Sequence, residues 1–235
     1  MDLYICDIKL GEKPFIAAVL NDQDIRIIDN KHLTSADIIE LRIDMFSELS
    51  PEYIVNVFIS AKEKIKKPII ATVRDIKEGG KREIKDRLSI YKAVMPFSDV
   101  IDVEINSRAL FSEIRHICNE NNKLLIGSYH NFESTPDDDL LQEIVLEAKG
   151  QGADIVKIAV TANDREDLIR LLLFTLKNRD KGLITMSMGE LGLPSRIVSP
   201  LFGSLISYSY FRRSYAPGQL SVNETLNIFR RLKMR

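Results

Sequence analysis

Lys157 sits in the middle of an otherwise apolar run, DIVKIAV, over residues 154–160. A charged amine among Ile155, Val156, Ile158 and Ala159 is costly to bury unless its charge is paired or its pKa falls. A lysine held neutral in that way becomes a nucleophile toward carbonyl carbon. A second polar intrusion, His130, ends the apolar run KLLIGSYH at residues 123–130. An amine that can form an imine and a histidine that can move a proton are the chemical core of the chain.

These two groups act only if rigid elements hold them together. Short runs rich in Ile and Val recur along the sequence: FIAAVL (15–20), DIIELRI (37–43), PIIATV (68–73), VIDVEI (100–105), KLLIGSYH (123–130), DIVKIAV (154–160), GLITMSM (182–188) and LISYSY (205–210). Near-continuous apolar strands of this kind suit a parallel sheet covered on both faces. Between them lie segments of helical periodicity at 51–67, 83–95, 108–122, 136–150, 163–180 and 222–235. In the first, Ile54, Val57, Phe58 and Ala61 share a face and lysines gather toward the C-terminal end, where they complement the helix dipole. In the fourth, Thr135 is the expected N-cap and Pro136 the expected first helical residue. Eight strands alternating with helices describe a (β/α)8 TIM barrel. Residues 1–14 then form an N-terminal hairpin or strand capping the barrel bottom. A doubly wound sheet is the alternative, but no Gly-rich fingerprint follows the first strand. The whole of 1–235 reads as a single barrel domain.

Composition narrows the function classes. Hydrophobic residues make up 45% of the chain, enough for a sizeable core, and the net charge of -1 gives no reason to expect nucleic acid or an anionic membrane as partner. Cys6 and Cys118 form no CxxC motif and read as two reduced, buried thiols. His32, His116 and His130 have no metal-ligand spacing. The N-terminus lacks the pattern of a signal peptide, and no run is long enough to span a bilayer. A cytoplasmic globular protein is expected.

In a barrel of this type chemistry belongs at the C-terminal ends of the strands. Polar residues fall there repeatedly: Glu40, Arg42 and Asp44 in ELRID, Arg74 and Glu78 in TVRDIKEGG, then Asp102 and Glu104, Ser128 and His130, and Lys157. Met186 and Met188 follow on one face, then Arg196 in GELGLPSRI and Gln219 in the loop 211–221. Each has a plainer reading. Asp102 and Glu104 suit a structural ion-pair layer at least as well as catalysis. Met186 and Met188 are most simply packing, Arg42 or Arg74 alone could be a surface residue, and Lys157 alone could pair with a carboxylate such as Glu104. Their coincidence at one rim is what favours a site.

The segments ELRID, TVRDIKEGG, GSYHNFESTP, DIVKIAV, MSMGELGLPSR and APGQLS together resemble, in order, the signature segments of type I 3-dehydroquinate dehydratases of the shikimate pathway. The resemblance implies that Lys157 forms a Schiff base with the C3 ketone of 3-dehydroquinate. It implies that His130 is the general base and acid, with Glu78 hydrogen-bonded behind it. Arg196 would hold the substrate carboxylate. Glu40, Arg42, Arg74 and Gln219 would bind ring hydroxyls or line the pocket, with Met186, Met188, Tyr208, Tyr215 and Ala216 in its wall and lid. It further implies a homodimer that needs neither metal nor organic cofactor, acting in aromatic amino acid biosynthesis. There are departures. The FIAAVL strand lacks the serine or other polar residue that many members carry near its end. Tyr208 stands where phenylalanine is common, and Tyr215 holds a lid position often occupied by serine. No fused shikimate dehydrogenase is expected. The competing readings are a class I aldolase or transaldolase-like Schiff-base barrel and a non-catalytic barrel that binds a quinate-like ligand.

Overall fold

The computed structural model describes residues 2–28 and 33–235; His32 lies outside the described residues. Eight parallel strands form one sheet: β3 (Phe15–Leu20), β4 (Ile38–Arg42), β5 (Ile69–Thr72), β6 (Val100–Glu104), β7 (Leu124–His130), β8 (Ile155–Thr161), β9 (Leu183–Met188) and β10 (Ile206–Tyr210). Pairing runs in chain order from β3 to β9, and β10 returns beside β3 with Ile206 opposite Phe15. Leu205 N donates to Leu183 O at 2.8 Å across the remaining gap, which brings the sheet close to a closed barrel. An antiparallel pair, β1 (Tyr4–Ile5) and β2 (Ile8–Lys9), precedes it.

The strands are buried on both faces, and alternation sorts their side chains into two cores. Ile16, Ala18 and Leu20 of β3 point outward to the helices, whereas Phe15, Ala17 and Val19 point into the barrel. The lower interior is an apolar layer of Ile38, Ile70, Val100, Ile126, Ile155, Ile184 and Ile206. Ile5 and Leu10 of the hairpin segment pack into this same cluster, so the hairpin does cap the barrel bottom. Two residues further along the strands the inward positions become polar: Glu40, Thr72, Asp102, Ser128 and Lys157. The apolar floor excludes water beneath these groups and raises the penalty for any charge left unpaired above it.

The covering helices are α1 (Asp22–Ile27), α2 (Pro51–Ile65), α3 (Arg87–Val94), α4 (Arg108–Glu120), α5 (Asp138–Gly150), α6 (Arg165–Lys177), α7 (Ser195–Val198) and α8 (Val222–Arg231). In α4, Phe111, Ile114 and Cys118 form the buried stripe. The six helices expected from periodicity are present with shorter ends. Helix α3 starts at Arg87 because the Asp86 side chain caps Ser89 N, which leaves 83–86 in a loop. The N-cap of α5 is Asp137, whose carboxylate accepts from Leu140 N at 2.9 Å, and not Thr135. Thr135 Oγ1 is drawn away to Thr161 O at 2.8 Å, and Pro136 therefore precedes the helix. Helix α1 was not anticipated, although its Asn21–Asp24 capping box is a sequence signal. Cys118 is buried as expected. Cys6 is exposed, because it sits in the tight turn of the hairpin with φ of 51°.

Candidate active site

At the C-terminal end of the barrel a cavity of about 380 Å³ is lined by Glu40, Arg42, Arg74, Glu78, His130, Lys157, Met186, Met188, Arg196, Tyr208, Tyr215, Ala216 and Gln219. Every residue to which the resemblance gives a site role thus borders one space, whereas Asp44, Asp102, Glu104 and Ser128 lie outside its lining.

The buried amine is accommodated by pairing. Lys157 Nζ lies 3.0 Å from Asp102 Oδ2 and 3.3 Å from Glu40 Oε1, and 4.0 Å over the centre of the Tyr208 ring. Glu104 is not its partner, because that carboxylate is already engaged by Arg74, by Arg87 and by Asp75 N. Arg74 is a cross-brace. Its guanidinium donates to Asp102 Oδ1 at 2.8 Å, to Glu104 Oε1 at 2.7 Å and to Ser128 Oγ at 2.7 Å. Burial works to raise Asp102, but Arg74 and Lys157 outweigh it and hold this carboxyl far below its ordinary range. Asp102 and Glu104 therefore do form the structural ion layer, and Asp102 also touches the lysine.

His130 ends β7, and Glu78 closes a single 3-10 turn, Ile76–Glu78, after β5. Glu78 Oε2 accepts from the His130 backbone N at 3.0 Å and lies 3.0 Å from its Nδ1. With Nδ1 turned to the carboxylate, Nε2 is left for the cavity. Burial, then Arg74 and Lys157, push the imidazole well below its usual value, while burial pushes Glu78 up to about 7. Both members are thus driven toward their neutral forms. The loop bearing Glu78 is fixed by tight geometry. Gly79 has φ of 88°, and a Cβ there would lie 2.5 Å from the Phe132 ring. Arg42 binds Asp44 through two 2.9 Å contacts, and Asp44 in turn accepts from Lys81 N at 3.0 Å.

Arg196 is treated differently from the other buried cations. The Ser195 hydroxyl, bonded to Ser187 N and Gly192 O, holds the start of α7 against β9. The Arg196 guanidinium donates to Pro217 O at 3.2 Å and contacts Met186 Sδ at 3.6 Å. It is only 4% exposed, and among the described residues no carboxylate pairs with it. Burial alone brings it down to about 10. Above it the loop 211–221 folds back: Tyr215 N donates to Gln219 Oε1 at 3.0 Å, and Tyr215 Oη donates to Asp24 Oδ2 at 3.1 Å.

Sequence reasoning missed Phe132, Val19, Lys81 and Pro217 in the lining. Phe132 was findable as an aromatic two residues after His130, in the loop that follows the strand. Val19 is the apolar end of FIAAVL and brings no hydroxyl to the wall. Among the described residues no group of three or more His, Cys, Asp or Glu side chains could hold a metal ion.

The chain matches the type I 3-dehydroquinase family over residues 15–235. The 3-dehydroquinate dehydratase of Thermodesulfovibrio yellowstonii is 44% identical over 94% of this chain and 97% of its own. The crystal structure of the Aquifex aeolicus VF5 3-dehydroquinate dehydratase superposes with a TM-score of 0.81 at 36% identity, over 92% of this chain and 98% of that one. The type I enzyme of Clostridium difficile, solved with covalently modified comenic acid, gives 0.87 at 27% identity over 99% and 98%. With Lys157, His130, Glu78 and Arg196 around one cavity on this barrel, the chain belongs to the type I 3-dehydroquinases and is an enzyme that dehydrates 3-dehydroquinate.

Proposed function

We propose that the dehydration runs through an imine on Lys157, with His130 as its only proton shuttle. The Lys157 amine adds to the C3 ketone of 3-dehydroquinate, and loss of water from the adduct leaves an iminium. That cation is an electron sink, which makes the C2 proton acidic enough for a histidine. His130 Nε2 takes the proton, and Glu78 supports the resulting imidazolium. The enamine then expels the C1 hydroxyl, which leaves as water with the proton returned by His130. Hydrolysis of the imine releases 3-dehydroshikimate and restores the amine. Arg196 binds the substrate carboxylate with its planar fork, and Glu40, Arg42 and Gln219 orient the ring hydroxyls. Met186, Met188 and Tyr208 pack against the ring and the imine, with Arg74, Tyr215 and Ala216 completing the wall.

The observation that carries this reading is Arg196, a buried guanidinium with no acid paired to it among the described residues, facing the same cavity as the buried amine. A fixed unpaired cation needs an anionic ligand, and a monocarboxylate polyol supplies one. The covalently modified ligand of the Clostridium difficile relative supports covalent chemistry in a pocket of this kind. An absorbance assay for the conjugated enone of 3-dehydroshikimate tests the reaction. Borohydride added with substrate must fix the product to Lys157; labelling elsewhere or nowhere would sink the imine assignment.

The same reading extends to a cytoplasmic single-domain enzyme in aromatic amino acid biosynthesis, with no metal or organic cofactor, working as a homodimer. Ile169, Leu173 and Leu176 form an exposed apolar stripe along α6, which supports association of two copies. Light scattering in solution checks it.

A further inference from the structure

The carboxylate behind His130 has two oxygens, and only one faces the imidazole. Oε2 meets the His130 backbone N and Nδ1, both at 3.0 Å. The other, Oε1, accepts from Asn106 Nδ2 at 2.9 Å. Asn106 stands two residues beyond β6, just before Ser107, the N-cap of α4. It is solvent-exposed on its outer side and borders a groove of about 990 Å³ between the starts of α3 and α4. Its amide thus stands between that groove and a carboxylate that is itself 7% exposed.

We infer that Asn106 is a positioning residue for the proton shuttle, holding Glu78 ionised and turned so that His130 keeps its proton on Nδ1 and its lone pair on Nε2. The inference rests on the imine mechanism proposed above for its catalytic consequence, though not for its effect on the imidazole. The logic is one of tautomers. An ionised Glu78 can only accept, so Nδ1 must carry the hydrogen and Nε2 is a base. A protonated Glu78 can donate to Nδ1, which moves the hydrogen to Nε2 and removes the base from the cavity.

Several charges bear on this balance from the surrounding elements. Glu104 on β6 opposes ionisation of Glu78, and Arg74 after β5 favours it. Arg74, Lys157 on β8 and Arg42 on β4 oppose a charged His130, whereas Asp102 on β6 favours one. With burial pushing Glu78 up to about 7, a single charge-assisted hydrogen bond decides which form dominates near neutrality.

Asn106→Leu is the decisive variant, since it keeps the shape that shields Glu78 from the groove and deletes the donor. Alanine would admit water in its place. The acidic limb of kcat/KM against pH is expected to move up by about one pH unit in Asn106→Leu, with the alkaline plateau retained. With Glu78 at about 7, at pH 7 this reads as a loss of roughly fivefold, approaching tenfold at lower pH. Asn106→Gln, which restores an amide at an exposed position with room for the extra methylene, is expected to bring the limb back. In substrate-free protein, 15N shifts of His130, one of only three histidines, should show the Nε2–H tautomer persisting about one pH unit higher in Asn106→Leu. Superimposable pH profiles, or a loss equal at every pH, would overturn the inference. So would an unchanged imidazole titration in the free protein. Failure of the parent to turn over 3-dehydroquinate would instead remove the proposed mechanism, and the imidazole titration would still decide the role of Asn106.

Discussion

Replacing Arg196 with methionine should make the protein more stable and a far poorer catalyst at once. Burial brings the guanidinium from a usual value near 12.5 to about 10, with no carboxylate among the described residues to offset it. That difference corresponds to about 3 kcal/mol of destabilisation of the charged form in the folded state. The sign follows from linkage. A cation whose folded value is depressed imposes its full cost at every pH below that value, and the cost disappears only as pH rises from about 10 through its unfolded value. At neutral pH the whole penalty is therefore present. Methionine replaces the side chain as far as Nε and keeps an apolar contact with Met186, but forfeits the hydrogen bond to Pro217 O, worth about 1 kcal/mol. A net gain of about 2 kcal/mol remains, which for a chain of this length raises the melting temperature by roughly 5 °C. The same change removes the buried cation of the cavity that has no carboxylate partner among the described residues, and KM for 3-dehydroquinate should rise by at least about a hundredfold. Differential scanning calorimetry at pH 7 and steady-state kinetics read the two effects on one preparation. A lower melting temperature would show that the guanidinium is compensated in the folded protein. An unchanged KM would show that it does not meet the substrate carboxylate.

Three further outcomes follow from the same geometry. Lys157→Met should abolish borohydride trapping and also lower stability by about 3 kcal/mol, because Glu40 loses the one cation hydrogen-bonded to it among the described residues while Asp102 keeps Arg74; a melting temperature equal to the parent's would contradict the pairing. His130→Ala should still form the trappable imine yet slow dehydration by roughly a hundredfold or more, and intact turnover would exclude it as the proton shuttle. The Tyr208 hydroxyl is buried without a hydrogen-bond partner among the described residues. Tyr208→Phe should therefore raise stability by about 1 kcal/mol and leave kcat within about twofold, whereas a destabilised variant would reveal a partner for that hydroxyl.

The barrel was legible because its signals are local. Runs such as FIAAVL and DIVKIAV carry their burial on both faces in their composition, and the strand ends fall within about a residue of the runs. Helix starts were less legible where two candidate caps compete. Thr135 and Asp137 both suit an N-cap, and the choice was made by Thr161, distant in sequence but adjacent across the sheet end. The lining was read from residue types at strand ends, which finds His130 and Lys157 and passes over Val19 and Pro217, whose types carry no chemistry. Asn106 was invisible for a related reason. An exposed asparagine before a helix reads as a turn residue, and only the approach of a loop from the neighbouring strand gives its amide a buried carboxylate to bind.

What sequence cannot supply is which charges cancel one another. Arg42, Arg74 and Arg196 are the same residue type at the same rim, and apart from the family resemblance, which gives the carboxylate to Arg196, residue type and strand-end position do not distinguish an anchor from a brace. The fold distinguishes them. Arg42 spends both arms on Asp44, and Arg74 is divided among Asp102, Glu104 and Ser128. Each is neutralised before any ligand arrives, so a ligand gains from them hydrogen bonds or packing but little net charge attraction. Of the three, Arg196 retains its charge for a partner that the described residues do not provide. One unsatisfied buried cation matches one carboxylate. A phosphorylated sugar brings a dianion, and among these buried arginines the second charge would find only guanidiniums already paired. On the function proposed above, the pocket therefore favours a monoanionic ketone by leaving one of three similar arginines without a carboxylate partner among the described residues, opposite an amine hydrogen-bonded to Asp102 and Glu40.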